Sequence, residues 1–213
     1  IPDGATLALP AGSHVLDLRR ILARNRTFPR DLLIVGVGMD ATLLKVRHLS
    51  SDGEVASLTF RNVTLDCDSD SLIRLEGRAT ATIRLESCRV VGFAVMLDGR
   101  TAAMYATDCR FEAGYGHYAD ADLFSVRRGF LGRFENCTFT GPFRSVFDPN
   151  KAATYHFARC VFHDTSAHLA RLRTGAANGV TLADCSMFEL EEAAKPIQRS
   201  LSDINPNWPK RGS

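Results

Sequence analysis

Six short segments repeat along this chain, and their spacing constrains the fold more than any other feature. They read Phe60-Arg61-Asn62-Val63-Thr64-Leu65, Leu85-Glu86-Ser87-Cys88-Arg89-Val90, Ala106-Thr107-Asp108-Cys109-Arg110-Phe111, Phe134-Glu135-Asn136-Cys137-Thr138-Phe139, Phe157-Ala158-Arg159-Cys160-Val161-Phe162 and Leu182-Ala183-Asp184-Cys185-Ser186-Met187. From Val63 to Cys185 the steps are 25, 21, 28, 23 and 25 residues. Self-similarity at such a period implies stacked units, each burying its apolar face against its neighbours.

The parity of the apolar positions says what each unit is. Counting the Val/Cys position as zero, apolar residues recur at −3, 0 and +2, and at −5 (Leu58, Ile83, Met104, Tyr155, Val180). Alternation with period two marks a strand with one buried face. The step of three from −3 to 0 breaks the alternation once, so a chain that keeps its side chains inward must bend there. The residue at the break is Asn62, Ser87, Asp108, Asn136, Arg159 or Asp184, and Asn, Asp and Ser favour tight turns.

A third strand follows in each unit: Ile73 to Gly77, Val95 to Gly99, Phe124 to Arg127, Ser145 to Asp148 and Ala170 to Arg173. Three short strands per coil without a helical spacer predict an all-β, single-stranded, right-handed parallel β-helix of about six to seven coils. A leucine-rich repeat has a comparable period but a Leu/Asn spacing that is missing here. The whole chain, 1–213, reads as one domain: an opening strand and N-terminal cap over 1–30, coils over 31–190, and a C-terminal cap and tail over 191–213. Within the first part Ser13 is a plausible helix N-cap, with Val15, Leu18, Ile21 and Leu22 on one face of a short helix over 13–24.

Composition narrows the partners. At 213 residues, 45% apolar and 23% charged, the chain can bury one sizeable core. A net charge of +2 argues against nucleic acid held by bulk charge. No apolar run approaches the ~20 residues that span a bilayer. The chain opens on Ile1 rather than Met, as a processed product would.

The six cysteines would suggest three disulfides in a small secreted chain, but five of them share the repeat position. Cys88, Cys109, Cys137, Cys160 and Cys185 should stack inward about 4.8 Å apart, whereas a disulfide needs Cβ atoms about 3.8 Å apart. Free buried thiols are therefore expected. Cys67 falls outside the column, in an apparent turn.

The opening segments Ala5-Thr6-Leu7-Ala8-Leu9-Pro10-Ala11-Gly12 and Leu32 to Leu44, together with the coils, resemble those of the pectin-lyase-like β-helix proteins, which include pectate lyases and polygalacturonases. The resemblance covers most of the chain and implies the fold. It also implies an extracellular or periplasmic protein that binds, and in some members cleaves, a uronate-containing polysaccharide or oligosaccharide. The active clefts of such proteins lie on the face of the third strand. There the sequence sets Leu75, Leu97, Val126, Phe147 and Leu172 in one inward row, and therefore Glu76, Asp98, Arg127, Asp148 and Arg173 in one outward row, beside Arg74, Met96, Ser125, Val146 and Arg171.

On that face Asp98 and Asp148, two coils or ~9 to 10 Å apart, approach the upper end of the carboxylate separation in inverting glycosidases. Arg127 between them could grip a uronate carboxylate through a bidentate pair. In a lyase, Lys151 and Arg173, 22 residues apart, would serve as the base and the stabiliser of the carbanion, as Lys and Arg do in chondroitinase-B-like and alginate lyases. The polygalacturonase motifs Asn-Thr-Asp, Gly-His-Gly and Arg-Ile-Lys are absent. Arg74, Arg127 and Arg171 would be further substrate contacts, joined by Tyr115, His117 and Tyr118 on the inserted turn of the longest coil. Asp66, Asp68 and Asp70 alternate as oxygen ligands for Ca²⁺ would, without the Gly and Glu of an EF-hand loop. Against these stand plainer readings: an ion-pair ladder, an exposed turn, an acidic turn. The rival to the glycan reading is a non-enzymatic structural or interaction solenoid. A third alternative is a segment of a homo-oligomeric fibre, which the expected caps oppose.

Overall fold

A computed structural model describes residues 3–17, 31–47, 50–51, 57–67, 73–75, 80–92, 95–97, 101–112, 122–126, 130–141, 145–147, 153–163 and 179–188. Numbered along the chain, their strands form three sheets. The first stacks β1 (Thr6–Ala8), β3 (Leu32–Val35), β6 (Ser57–Arg61), β9 (Thr80–Glu86), β12 (Thr101–Thr107), β15 (Phe130–Glu135), β18 (Ala153–Ala158) and β20 (Gly179–Ala183). The second stacks β2 (Gly12–Asp17), β4 (Thr42–Arg47), β7 (Thr64–Cys67), β10 (Arg89–Gly92), β13 (Arg110–Glu112), β16 (Thr138–Thr140), β19 (Val161–His163) and β21 (Ser186–Phe188). The third holds β5 (Ser50–Ser51), β8 (Ile73–Leu75), β11 (Val95–Leu97), β14 (Asp122–Val126) and β17 (Ser145–Phe147). Neighbours pair in parallel, and along the first two sheets each coil adds one strand. The protein is a parallel β-solenoid.

The interior follows the predicted parity. Val63, Cys88, Cys109, Cys137 and Cys160 are buried in one column and Cys185 partly so. Leu58, Ile83, Met104 and Tyr155 fill the −5 column, and Phe111, Phe139 and Phe162 the +2 column. Each expected bend is a left-handed residue: Asn62 (φ 57°), Ser87 (50°), Asp108 (56°), Asn136 (52°), Arg159 (52°) and Asp184 (51°). This conformation costs an ordinary L-residue roughly 1–2 kcal/mol. Its return is continuity of the ladder. The amides of Asn62, Ser87, Asp108, Asn136 and Arg159 donate to the carbonyls of Glu86, Thr107, Glu135, Ala158 and Ala183 in the next coil, at 2.8–3.0 Å.

The cysteine column completes those same carbonyls. The thiols of Cys88, Cys109, Cys137, Cys160 and Cys185 lie 3.2–3.4 Å from the oxygens of Glu86, Thr107, Glu135, Ala158 and Ala183. A carbonyl has two lone pairs, and here the thiol takes the one that the amide leaves. Cysteine thus combines the size of a small apolar residue with a weak donor aimed at the bend. Hydrogen bonding to the neighbouring thiol, then burial, pushes Cys88 far above the ordinary thiol range; a hydrogen bond to Cys137 leads the causes that raise Cys109 to about 12. Protonated thiols are poor nucleophiles, which fits a packing role for Cys88 and Cys109, whereas the hydrogen bond with Cys137 lowers Cys160. None of the six cysteines is in a disulfide. Alkylation under denaturing, non-reducing conditions should therefore add six labels per chain by mass; four or fewer would mean that a disulfide had formed.

Three local expectations are corrected. Residues 13–17 are not helical: they lie in β2, paired with β4 from Gly12↔Thr42 to Asp17↔Arg47. A strand sends Leu16 into the core and leaves Val15 58% exposed. The edge of β4 also gives the backbone partners that an isolated short helix cannot match in stability. The opening strands thereby make a rung of their own, so the first two sheets have eight strands against six to seven coils expected. Cys67 is not in a turn but ends β7, buried and level with Gly92, because it continues the inward alternation of Leu65. Finally, Phe147 pairs with Phe124, not Val126. The segment Phe124-Ser125-Val126 offers two apolar places to one phenylalanine, and a pattern of period two permits a slip of two. The rest of the expected helix, the segment 170–173 and the expected C-terminal cap lie outside the described residues.

Candidate functional site

The slip in register bears on the predicted site. The placing of Arg127 and Asp148 in one row assumed Phe147 beside Val126, which is not the observed pairing. Arg74 does lie on β8 level with Met96, and Met96 is level with Ser125, as expected. Asp98, Arg127, Asp148, Lys151, Arg171 and Arg173 lie outside the described residues, as do Tyr115, His117, Tyr118, Asp68 and Asp70. Asp66 lies on β7 level with Val91, its carboxylate 3.6 Å from the Lys45 ammonium. Among the described residues no cluster of His, Cys, Asp or Glu could hold a metal ion. None of their helices is long and apolar enough to cross a membrane.

The described residues place a different constellation on the outside of the first sheet. Where positions −5 and −3 point inward, −4 and −2 must point out. Register sets Thr59, Arg84, Tyr105, Arg133, His156 and Thr181 side by side across β6, β9, β12, β15, β18 and β20. The adjoining −2 row is Arg61, Glu86, Thr107, Glu135, Ala158 and Ala183. An open depression of about 420 Å³ is lined by Tyr105, Thr107, Arg133, Glu135 and His156.

The electrostatics of this face depend on which charges are already matched. Glu86 is held by Arg61, Nε to Oε2 at 2.6 Å. Glu135 is held by Arg159, which also donates through Nε to Asn136 Oδ1 at 2.9 Å, while Asn136 Nδ2 donates to Asp108 Oδ1 at 3.2 Å. Both carboxylates are thus neutralised from the bend side. Arg84 donates to the Ser57 hydroxyl at 3.2 Å and lies 5.4 Å from the Tyr105 ring centre. Neither contact cancels its charge. Arg133 is exposed and has no hydrogen-bond or ion-pair partner among the described residues. The −4 row therefore presents two guanidinium groups, one phenol ring and one imidazole on a broad, rigid sheet. Such a set binds anions through forked, charge-assisted hydrogen bonds and offers a ring face for stacking.

This row was missed in the sequence although its positions were there to be read. They are the alternates of the inward set, and Arg, Tyr, Arg and His at −4 in four successive segments was a usable signal. No family model, curated protein or solved structure matches the chain. What holds of the expected likeness is its architecture, and this chain is a parallel β-solenoid with a cationic, aromatic row on the outer face of its first sheet.

Proposed function

We propose that the solenoid binds an acidic polysaccharide on the outer face of its first sheet, with Arg133 as the main carboxylate contact. The observation that supports this most is the exposed Arg133 between Tyr105 and His156, in a depression whose lining glutamate, Glu135, is neutralised by Arg159. An exposed guanidinium with no protein partner among the described residues gives up water, but no existing ion pair, when it binds a carboxylate. The Arg84 guanidinium, 5.4 Å from the Tyr105 ring centre, adds a second cation to the same row. Polymers of this class are met outside the cell, so an extracellular or periplasmic location belongs to the same reading. Cleavage, were it to accompany binding, would fall to Asp98, Asp148, Lys151 and Arg173, the residues the sequence reading assigns to it. The rival, a purely structural solenoid, draws on the bend-side pairs that tie coil to coil.

The test is titration calorimetry with uronate hexasaccharides at low salt, where surface electrostatics are least screened. Arg133→Ala should weaken binding at least tenfold, since a charge-assisted contact contributes ~1.5–3 kcal/mol, and should leave the melting temperature unchanged. Arg127→Ala run in parallel distinguishes the face of the first sheet from the site expected from the sequence. No binding by the wild type across a panel of acidic glycans would transfer the case to the structural reading.

A further inference from the structure

Resting on that proposal, we infer that His156 is the second contact of the same acid group: Arg133 and His156 hold one carboxylate between them, and binding draws a proton onto the imidazole. The two residues are level on neighbouring parallel strands, β15 and β18. Side chains so placed leave the same face of a sheet about 4.8 Å apart. Both line the open depression. A carboxylate can meet both, because its two oxygens offer about four acceptor positions. The guanidinium fork uses only some of these and leaves another for an imidazole N–H. The flank towards β12 is different, since there the Arg84 guanidinium already lies 5.4 Å from the centre of the Tyr105 ring.

The proton follows from what surrounds the imidazole. Facing it from β15 are Arg133 and, two residues on, Glu135, which Arg159 already holds. From β20 come Thr181 and Ala183, with Asp184 beyond them at the bend, and the outward neighbours on β18 itself are Thr154 and Ala158. Glu135 is the only acid on these three strands. Charging His156 beside Arg133 therefore sets two cations side by side, which is unfavourable unless an anion lies between them. A bound carboxylate reverses the balance. It pairs with both, and its bond to an imidazolium is charge-assisted and stronger than its bond to the neutral ring. Such coupling is reciprocal, so an anion that favours the proton is itself bound more tightly once the proton is there. Imidazole is the side chain whose charge ordinarily changes between about pH 5 and 8, whereas carboxylates change below that range. The site should thus hold its polymer under mildly acidic conditions and loosen it as the pH rises.

The experiment is titration calorimetry of the full chain with a uronate hexasaccharide at about pH 5.5, 7 and 8. Each titration is run in two buffers of different ionisation enthalpy, so that proton uptake is read directly. Wild type should bind about tenfold tighter at the lowest pH than at the highest, the gain when a hydrogen bond becomes charge-assisted, and should take up protons at the middle value. His156→Gln keeps an N–H donor but cannot charge, so its affinity should be the same throughout and its proton uptake zero. His156→Arg carries a fixed charge and should bind more tightly than wild type at the highest pH. His163→Ala, on β19 of the second sheet, should keep the whole pH dependence. Equal wild-type affinities at the extremes, a pH dependence that survives in His156→Gln, or one that vanishes in His163→Ala would overturn the shared contact. So would His156→Arg binding no tighter than wild type at the highest pH. In each of those cases a loss in Arg133→Ala would still uphold the face. A wild type that binds no hexasaccharide at any pH would instead overturn the functional proposal beneath.

Discussion

Replacing Phe139 with alanine is expected to lower folding stability by about 3–5 kcal/mol, the range for truncating a buried phenylalanine. The ring lies at the centre of two interleaved aromatic columns. Along the inner face of the second sheet it stacks on Phe111 at 4.8 Å and on Phe162 at 4.9 Å, within 5° and 11° of parallel. From the first sheet, Phe134 and Phe157 stack on each other at 4.9 Å and meet Phe139 edge-on at 5.6 and 5.5 Å, at 73° and 82°. Edge-to-face pairs are worth ~0.5–1.5 kcal/mol beyond their buried area. The void left by alanine would be hard to close, because the strands above and below are fixed by their ladders at the repeat of the sheet. Denaturant melts check it, and a loss below about 1 kcal/mol would mean that the columns can collapse around the gap.

That core could be read from the sequence because burial imposes parity. Every inward column named from the segments 60–65 through 157–162 is buried, and every predicted break carries a positive φ. Arg159 is the instructive case. Nothing in arginine favours a left-handed bend, yet the repeat requires one there. The structure shows what offsets it: the side chain bonds to both Glu135 and Asn136 of the preceding coil. The errors arose where parity says nothing. A slip of two preserves every inward residue, so Phe147 could be assigned to the wrong neighbour. An opening strand that has lost its repeat signature reads like a helix, so β2 was mistaken. The outer row was visible as letters but not as a site, because its charge depends on Arg61 reaching Glu86 and Arg159 reaching Glu135, partners 25 and 24 residues away. Alternation tells which side chains leave the core; it does not tell which of them neutralise one another.

The substitution Gly36→Ala should cost about 3 kcal/mol, at the upper end of what overpacking typically costs. Gly36 follows β3 and donates its amide to the Arg61 carbonyl at 2.9 Å, just as Asn62 donates to Glu86 one coil on. It therefore holds the bend position of its own coil, but without the left-handed backbone of its successors. The glycine is needed for proximity. A Cβ there would lie 2.5 Å from the Asn62 carbonyl oxygen, 2.7 Å from Thr42 Cβ and 2.7 Å from Val63 Cγ1. None of the three can yield easily. The first is the backbone of the next bend. Thr42 is buried, its hydroxyl donating to the Pro10 carbonyl at 3.2 Å and accepting from the Val37 amide at 3.1 Å, and Val63 heads the interior column. Gly38→Ala is the matched control, since its Cβ would come no nearer than 3.8 Å to Ala41 Cβ. Stiffening the unfolded chain can raise stability by ~0.4–1 kcal/mol where alanine fits, so Gly38→Ala should melt at or slightly above the wild-type temperature. Two variants with equal melting temperatures would show that the bend region can move apart, and that the first coils are held together less tightly than the close approach at Gly36 implies.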